Sequence, residues 1–301
     1  MKKTEVGLGN IWEEERPSRL KVLGVYSKRI ARWAQNSTPY LTGDLFADNS
    51  DIVMYPPKFR GKDPGLRAIK KAQVIFCPSH KVQEFFDGYG DIVTAKVLIA
   101  GNSDFEFHQA PENIPATLKQ LFLQNSFVSG HPLISTLPIG IENFRWGVNG
   151  HPKLMKSGVA WSSRRNQVLI GPFGLTHPVR TNVRETFFDI EEESHFVKTR
   201  MSPKSFSTLM QEFKYVGVVR GNGVDTHRLW EALYRGSIPV LTKDAWLESL
   251  LSYKFPYLPI DEWSRAELKS IVAKDIDLIF DPRKIDVLWW PFWQRKIGEY
   301  L

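Results

Sequence analysis

Residues Tyr215 to Leu241, YVGVVRGNGVDTHRLWEALYRGSIPVL, constrain the fold of this chain more than any other stretch. The run opens on about five apolar, mostly β-branched residues, Tyr215 to Val219, too short for a helix and closed by Arg220-Gly221, which predicts a buried strand. A tight polar turn follows, and Asp225 is placed to cap a helix starting at Thr226. Leu229, Ala232 and Leu233 recur at three-and-four spacing and give that helix one apolar face before Gly236 stops it. Ser237 to Leu241 reads as the next strand. Strand, turn, helix and strand make a βαβ unit, in which ligands sit beyond the carboxyl ends of the strands.

Polar chemistry crowds the turn and the first helical turns: Arg220, Asn222, Asp225, His227, Arg228 and Glu231. Gly221 and Gly223 let backbone approach a ligand closely. Arg228 and Glu231 are three apart, on a face that is not the leucine face. A phosphate here would meet free amides and guanidinium groups, and a carboxylate one turn on could hold a ribose diol. The plainer reading is a surface ion pair above an ordinary glycine turn, and spacing alone does not separate the two. No third glycine follows Gly223 to complete a dinucleotide fingerprint, and no Lys-Ser or Lys-Thr pair makes a Walker loop.

Arg220-Gly221-Asn222-Gly223-Val224-Asp225-Thr226-His227-Arg228-Leu229-Trp230-Glu231-Ala232-Leu233, followed by Gly236-Ser237-Ile238-Pro239-Val240, resembles the donor-binding signature of exostosin-like glycosyltransferases. The resemblance is strong over Ser202 to Pro239, with weaker echoes at Leu133 to Asn143 and Gly101 to Asp104. It implies a GT-B fold: two Rossmann-like domains facing across a cleft, with a C-terminal helix packing back on the first. On that reading residues 1–155 hold the acceptor, 156–278 the nucleotide sugar, and 279–301 form the crossover helix. It further implies that Glu231 contacts the donor nucleotide and that Arg220 and Arg228 lie near its diphosphate.

The length, 301 residues, exceeds the size at which a single core normally stops growing, so two domains are expected. The formal net charge of +7 suits anionic partners but is dispersed, without a basic tail or stripe, so no nucleic-acid role is expected. Cys77 is the single cysteine, which rules out an intrachain disulfide and favours a reducing compartment or a protein independent of bridges. Met1 to Leu20 has no apolar core of signal-peptide length, and no window reaches a membrane span. Eukaryotic relatives of the family are commonly anchored in the secretory pathway. The expectation is therefore a soluble cytoplasmic protein, or a secretory-pathway one if the sequence is part of a longer chain.

In the first half, Lys21 to Ser27 reads as a strand, Tyr40 to Asn49 as a loop, and Asp51 to Tyr55 as a short apolar run closed by Pro56-Pro57. Leu66 to Lys71 reads as a helix, Gln73 to Cys77 as a strand, and Ser79 as the cap of a helix to Phe86. Short apolar runs alternating with short helices are the α/β signature. Thr94 to Ala100 is the best strand of this half and ends at Gly101-Asn102-Ser103-Asp104, where strand ends meet a cleft, with His108 nearby. An inverting transferase needs a base for the acceptor hydroxyl, and Asp104 is the candidate, with Asp44 and Glu142 competing. Asn102, Ser103 and Asp104 could equally order their own loop. Gln120 to Phe127 and Leu133 to Leu137 are further apolar runs. Pro138 to Asn143 resembles the segment that lines the cleft on its way to the second domain, so Glu142 and Asn143 either touch substrate or are simply solvated.

The second half opens with a strand at Asn166 to Ile170, a loop, and a helix from about Thr181 to Phe187. Arg180 and Arg184 there are candidate phosphate ligands, or ordinary surface. Glu191 to Glu193 reads as a solvated loop, His195 to Lys198 as a strand, and Ser202-Pro203 as a helix start whose Phe206, Leu209, Met210 and Phe213 make a core stripe. Further on, Trp246 to Leu251 is a short helix, and Asp261 can cap another over Glu262 to Ala273. Asp275-Ile276-Asp277 spells an acidic metal triplet, but between a helix and the terminal segment, and is read as structural. From Pro282 to Leu301, Leu288, Trp289, Trp290, Phe292, Trp293, Ile297 and Tyr300 supply packing surface, with Pro291 expected to kink the helix. Peripheral membrane association is the alternative use of these aromatics.

Together these readings describe a nucleotide-sugar-dependent transferase acting on a glycan hydroxyl with inversion, UDP-sugar ahead of GDP-sugar as donor. Arginines take the place of an obligatory metal, and no other cofactor is called for. The rival reading is a non-catalytic carbohydrate- or polyanion-binding module on the same scaffold.

Overall fold

The computed structural model describes residues 38–301 apart from 59, 147–148, 156–157, 275 and 277–280, and these form an α/β protein with two five-stranded parallel sheets. The strand expected over Lys21 to Ser27 and both aspartates of the acidic triplet lie outside the described residues. The first sheet sets β1 (Ile52–Val53), β2 (Val74–Pro78), β3 (Val97–Gly101), β4 (Gln120–Gln124) and β5 (Ile134–Leu137) side by side in sequence order. β3 and β4 are buried at every position, as parallel strands covered on both faces are, and so they read as apolar runs. The two-residue period still sorts neighbours. Phe76, Ile99 and Phe122 enter one core cluster, and Ile75, Leu98 and Leu121 another.

The second sheet contains β6 (Arg165–Ile170), β7 (Ser194–Phe196), β8 (Phe213–Gly217), β9 (Ile238–Thr242) and β10 (Leu258–Ile260), in the spatial order β10-β9-β8-β6-β7. From β6 the chain runs to β7 on one side and then returns to β8 on the other, so the strand order reverses between β6 and β8. Such a reversal leaves a crevice outside the carboxyl ends of the two strands.

Helices α1 (Gly43–Asp48), α2 (Leu66–Ile69), α3 (Val82–Tyr89), α4 (Pro178–Phe187), α5 (Pro203–Met210), α6 (His227–Tyr234), α7 (Ala245–Leu250), α8 (Arg265–Ala273) and α9 (Trp290–Gly298) fill the connections. Several depart from expectation for local reasons. The stretch read as a loop over Tyr40 to Asn49 contains α1, capped by Thr42 Oγ1 on the Leu45 amide. Gly43 is required there because a Cβ would lie 1.9 Å from Asn102 Oδ1. Ser79 opens a short 3-10 turn, and α3 starts at Val82 without a side-chain cap. Ser264, not Asp261, caps α8. Pro291 sits in the first turn of α9, where its missing N–H leaves no hydrogen bond unmade, so it starts that helix and does not kink it. Glu193 is buried, not solvated, because Arg265 Nε donates to its Oε1 at 2.7 Å. That hydrogen bond holds its carboxyl below the ordinary glutamate range.

One core cluster is built from both halves: Phe46, Phe76, Ile99 and Phe122 join Leu229, Trp230 and Leu233 of α6, Trp246 of α7 and Trp293 of α9. Trp293 is fully buried and meets Phe46 and Phe122 edge-on at 5.7 and 6.0 Å between ring centroids. The Tyr234 hydroxyl receives the Leu41 amide at 3.0 Å and donates to the Leu288 carbonyl. No described helix is long and apolar enough to cross a membrane.

Candidate functional site

The carboxyl ends of β6 and β8 carry the densest set of arginines among the predicted site residues. Arg228, on the first turn of α6, donates from Nη1 to the Gly171 carbonyl at 2.7 Å and from Nη2 to the Pro172 carbonyl at 3.3 Å, bracing the loop after β6. Its guanidinium lies over the Phe206 ring at 4.3 Å, and its Nε is 3.4 Å from Glu231 Oε2. Burial lowers its pKa, and the Glu231 charge opposes that. Arg180, on the first turn of α4, reaches the other wall: Nε donates to the Arg220 carbonyl at 2.9 Å and Nη2 to the Val219 carbonyl at 3.2 Å. Its Nη1 donates to the Gly174 carbonyl and Thr176 Oγ1, both at 3.1 Å. Burial, with Arg228 nearby, brings the Arg180 pKa down to about 10, against the opposing charge of Asp104.

The two turn glycines also have a role within the chain. A Cβ on Gly221 would lie 2.8 Å from Arg180 Nη2, and one on Gly223 would lie 2.8 Å from Asn125 Nδ2. They make room for the protein's own side chains. Asn125, which takes a positive φ of 54° just past β4, accepts the Asp225 amide at 2.9 Å and donates to the Ser103 carbonyl at 3.2 Å. It thereby joins the loop after β3 to the loop after β8.

Facing the arginines are residues that follow β3. Glu106, absent from the sequence-based candidates, pairs its Oε1 with Arg220 Nη2 at 2.5 Å and sets its Oε2 3.5 Å from His108 Nε2. Exposed His108 stacks on Phe127 at 4.7 Å. Asp104 is half-buried within electrostatic range of Arg180, and its carboxylate has no hydrogen-bond or ion-pair partner among the described residues. His177, also absent from those candidates, caps α4 by accepting the Val179 amide at Nδ1. Burial and the charge of Arg220 lower its pKa, which suits a neutral ring. It lines a surface cavity of about 440 Å³ with Leu175, Thr176, Pro178, Thr181 and Asn182. Three buried polar atoms in this region lack a hydrogen-bond partner among the described residues: Arg220 Nε, Arg228 Nε and Thr226 Oγ1.

The other candidates fall elsewhere. Asp225 is buried and does not cap α6, whose cap position is Thr226. Its Oδ2 accepts the Ile139 amide at 2.8 Å and its Oδ1 accepts Trp230 Nε1 at 2.9 Å, so its oxygens are committed within the chain. His227 donates from Nδ1 to the Gly140 carbonyl at 2.8 Å, a second tie to the same segment. Asn222 is exposed, and exposed Arg184 lies over Phe188. Glu142 Oε2 accepts the amides of Asn149 and Gly150 at 2.6 and 3.2 Å and orders that loop. Asp44, Asn102 and Asn143 form a closed ring of hydrogen bonds of 2.8 to 3.2 Å, and Arg60 and Arg145 approach Asp44 Oδ1 at 3.1 and 2.9 Å. Among the described residues no group of three or more His, Cys, Asp or Glu side chains is arranged to hold a metal ion.

Burial pushes the Asp225 carboxyl up to about 7, against three N–H donors that favour its charged form. Below about pH 7 the folded protein then binds more protons here than the unfolded chain, so stability present at low pH is lost as the pH rises from the ordinary carboxylate range through about 7. Asp225→Asn cannot ionise and is expected to remove this loss, on the order of a few kcal/mol. Urea unfolding of both proteins at about pH 5 and about pH 8 checks it; equal slopes with pH would show that Asp225 does not titrate with folding.

No protein-family model and no curated protein matches the chain. Among solved structures it resembles AviGT4, a glycosyltransferase involved in avilamycin A biosynthesis, with 11% identity and a TM-score of 0.37 over 75% of this chain and 83% of that one.

Proposed function

We propose that the protein is a glycosyltransferase of GT-B architecture and exostosin-like type, which binds a nucleotide diphosphate sugar in the crevice between β6 and β8. The observation that carries this reading is the gathering at one switch point of half-buried Arg228 and buried Glu231 with Arg180 and Arg220, opposite a loop bearing Asp104 and Glu106. Cationic donors at strand ends suit a diphosphate, and a buried carboxylate beside them suits the ribose. Residues 1–155 are assigned to the acceptor side, 156–278 to the donor side and 279–301 to the crossover helix. An acceptor hydroxyl gives its proton to Asp104 as its oxygen attacks the anomeric carbon, whose bond to the diphosphate oxygen breaks with inversion. Arg220 and Arg228 stabilise the charge growing on the departing diphosphate. UDP-sugars are the first donors to test and GDP-sugars the second, with a glycan hydroxyl as acceptor.

A second reading, a carbohydrate- or polyanion-binding module without transfer, has one observation in its favour: Arg180 and Arg228 donate mainly to carbonyls of their own chain. Calorimetric titration with UDP and GDP, joined to a sugar-release assay, separates the two. Under the transferase reading, Glu231→Ala weakens whichever nucleotide binds by about 10- to 100-fold, the loss of hydrogen bonds to a charged group. Unchanged nucleotide affinity in that variant would remove Glu231 from the site, and binding of glycan alone, without sugar release, would favour the module.

A further inference from the structure

We propose that Glu106 is the counter-ion an anionic ligand must displace from Arg220, and that its carboxylate thereby makes the crevice selective for polyvalent phosphates over single carboxylates. The proposal rests on the nucleotide-sugar reading for the identity of the anion. The three crevice arginines are held in different ways. Arg180 and Arg228 donate to main-chain carbonyls at Val219, Arg220, Gly171 and Pro172, contacts that folding itself fixes. Arg220 instead pairs with one side chain from the opposite wall, Glu106, and its buried Nε has no hydrogen-bond partner among the described residues. Among the described contacts its guanidinium is therefore the one of the three that no main-chain carbonyl holds, so it can change partner without unmaking the backbone around the crevice.

The exchange is biased by charge. Arg220 also lies within electrostatic range of Asp244 and His177. An arriving carboxylate brings no more charge than the Glu106 it would replace, and gains little. A diphosphate brings more charge and more acceptor oxygens, can engage Nε and Nη2 together, and prevails. The released Glu106 has a waiting neighbour, since His108 Nε2 is already 3.5 Å from its second oxygen. Both paired side chains are partly exposed, 29% for Arg220 and 16% for Glu106, so the pair is solvent-screened enough to open.

The test is calorimetric titration of UDP, pyrophosphate and acetate into the parent, Glu106→Gln, Arg220→Gln and the double variant. Removing a competing counter-ion has the opposite sign from removing a structural brace. Glu106→Gln is expected to tighten UDP and pyrophosphate about three- to tenfold and to narrow their margin over acetate. Arg220→Gln is expected to weaken both phosphates and to abolish the gain in the double variant. Unchanged or weaker phosphate binding by Glu106→Gln overturns the counter-ion role while leaving the donor reading intact. A folded parent that binds neither UDP nor pyrophosphate overturns both.

Discussion

Asp104→Asn is expected to slow sugar transfer by about 10²- to 10⁴-fold, the range for losing a general base, while nucleotide affinity changes little. The other candidates for the base are already engaged. Glu106 is paired with Arg220, Asp44 with Arg60 and Arg145, and Glu142 accepts the amides of Asn149 and Gly150. His108 is stacked on Phe127 beside Glu106. Of these candidates only Asp104 has a carboxylate without a hydrogen-bond or ion-pair partner among the described residues, and it lies within electrostatic range of Arg180. Asparagine keeps the shape and removes the proton acceptor. Transfer and nucleotide binding should be measured on the same variant. Near-parental transfer rejects Asp104 and turns the search to Glu106, whereas lost nucleotide affinity would move Asp104 from the acceptor side to the donor.

Trp293→Ala is expected to lower the unfolding free energy by about 3–5 kcal/mol, as large-to-small changes in a packed core do. The indole is fully buried, lies 5.2 Å from Tyr253 between ring centroids, and donates from Nε1 to the Val287 carbonyl at 2.9 Å. Its other neighbours, Phe46 and Phe122, belong to α1 and β4, so the void opens among α1, β4 and the turn at Tyr253 together and cannot be closed by shifting one of them. Urea unfolding checks the size. A loss under about 1 kcal/mol would mean that the site collapses around alanine and that α9 is only loosely seated.

The βαβ unit at its centre is legible in the sequence because strand, turn and helix there are each decided by neighbours a few residues away. Its strands emerge at Phe213–Gly217 and Ile238–Thr242, close to the runs read from composition. What is not legible depends on distant partners. Nothing near Glu193 announces that Arg265 will bury it, and nothing near Gly223 announces Asn125. β10 escapes notice because Leu258–Ile260 is three residues long and carries Pro259, tolerated on an edge strand. Asn102 and Asn125 did leave a trace: each is an asparagine just past an apolar run, and each adopts a positive φ, at 53° and 54°. Glu106 left none, since its meaning comes from Arg220, 114 residues on.

The Tyr234 hydroxyl, where the Leu41 amide and the Leu288 carbonyl meet, also dictates an order of events during synthesis. Helix α1 and β4 emerge from the ribosome long before residues 285–297, yet Phe46 and Phe122 find their packing partner in Trp293. Until that segment arrives, both rings lack one of their aromatic neighbours, and exposed apolar surface in a partly made chain is prone to wrong association. The common core therefore closes through a long-range contact, and a chain that ends short of Trp293 leaves Phe46 and Phe122 without that partner.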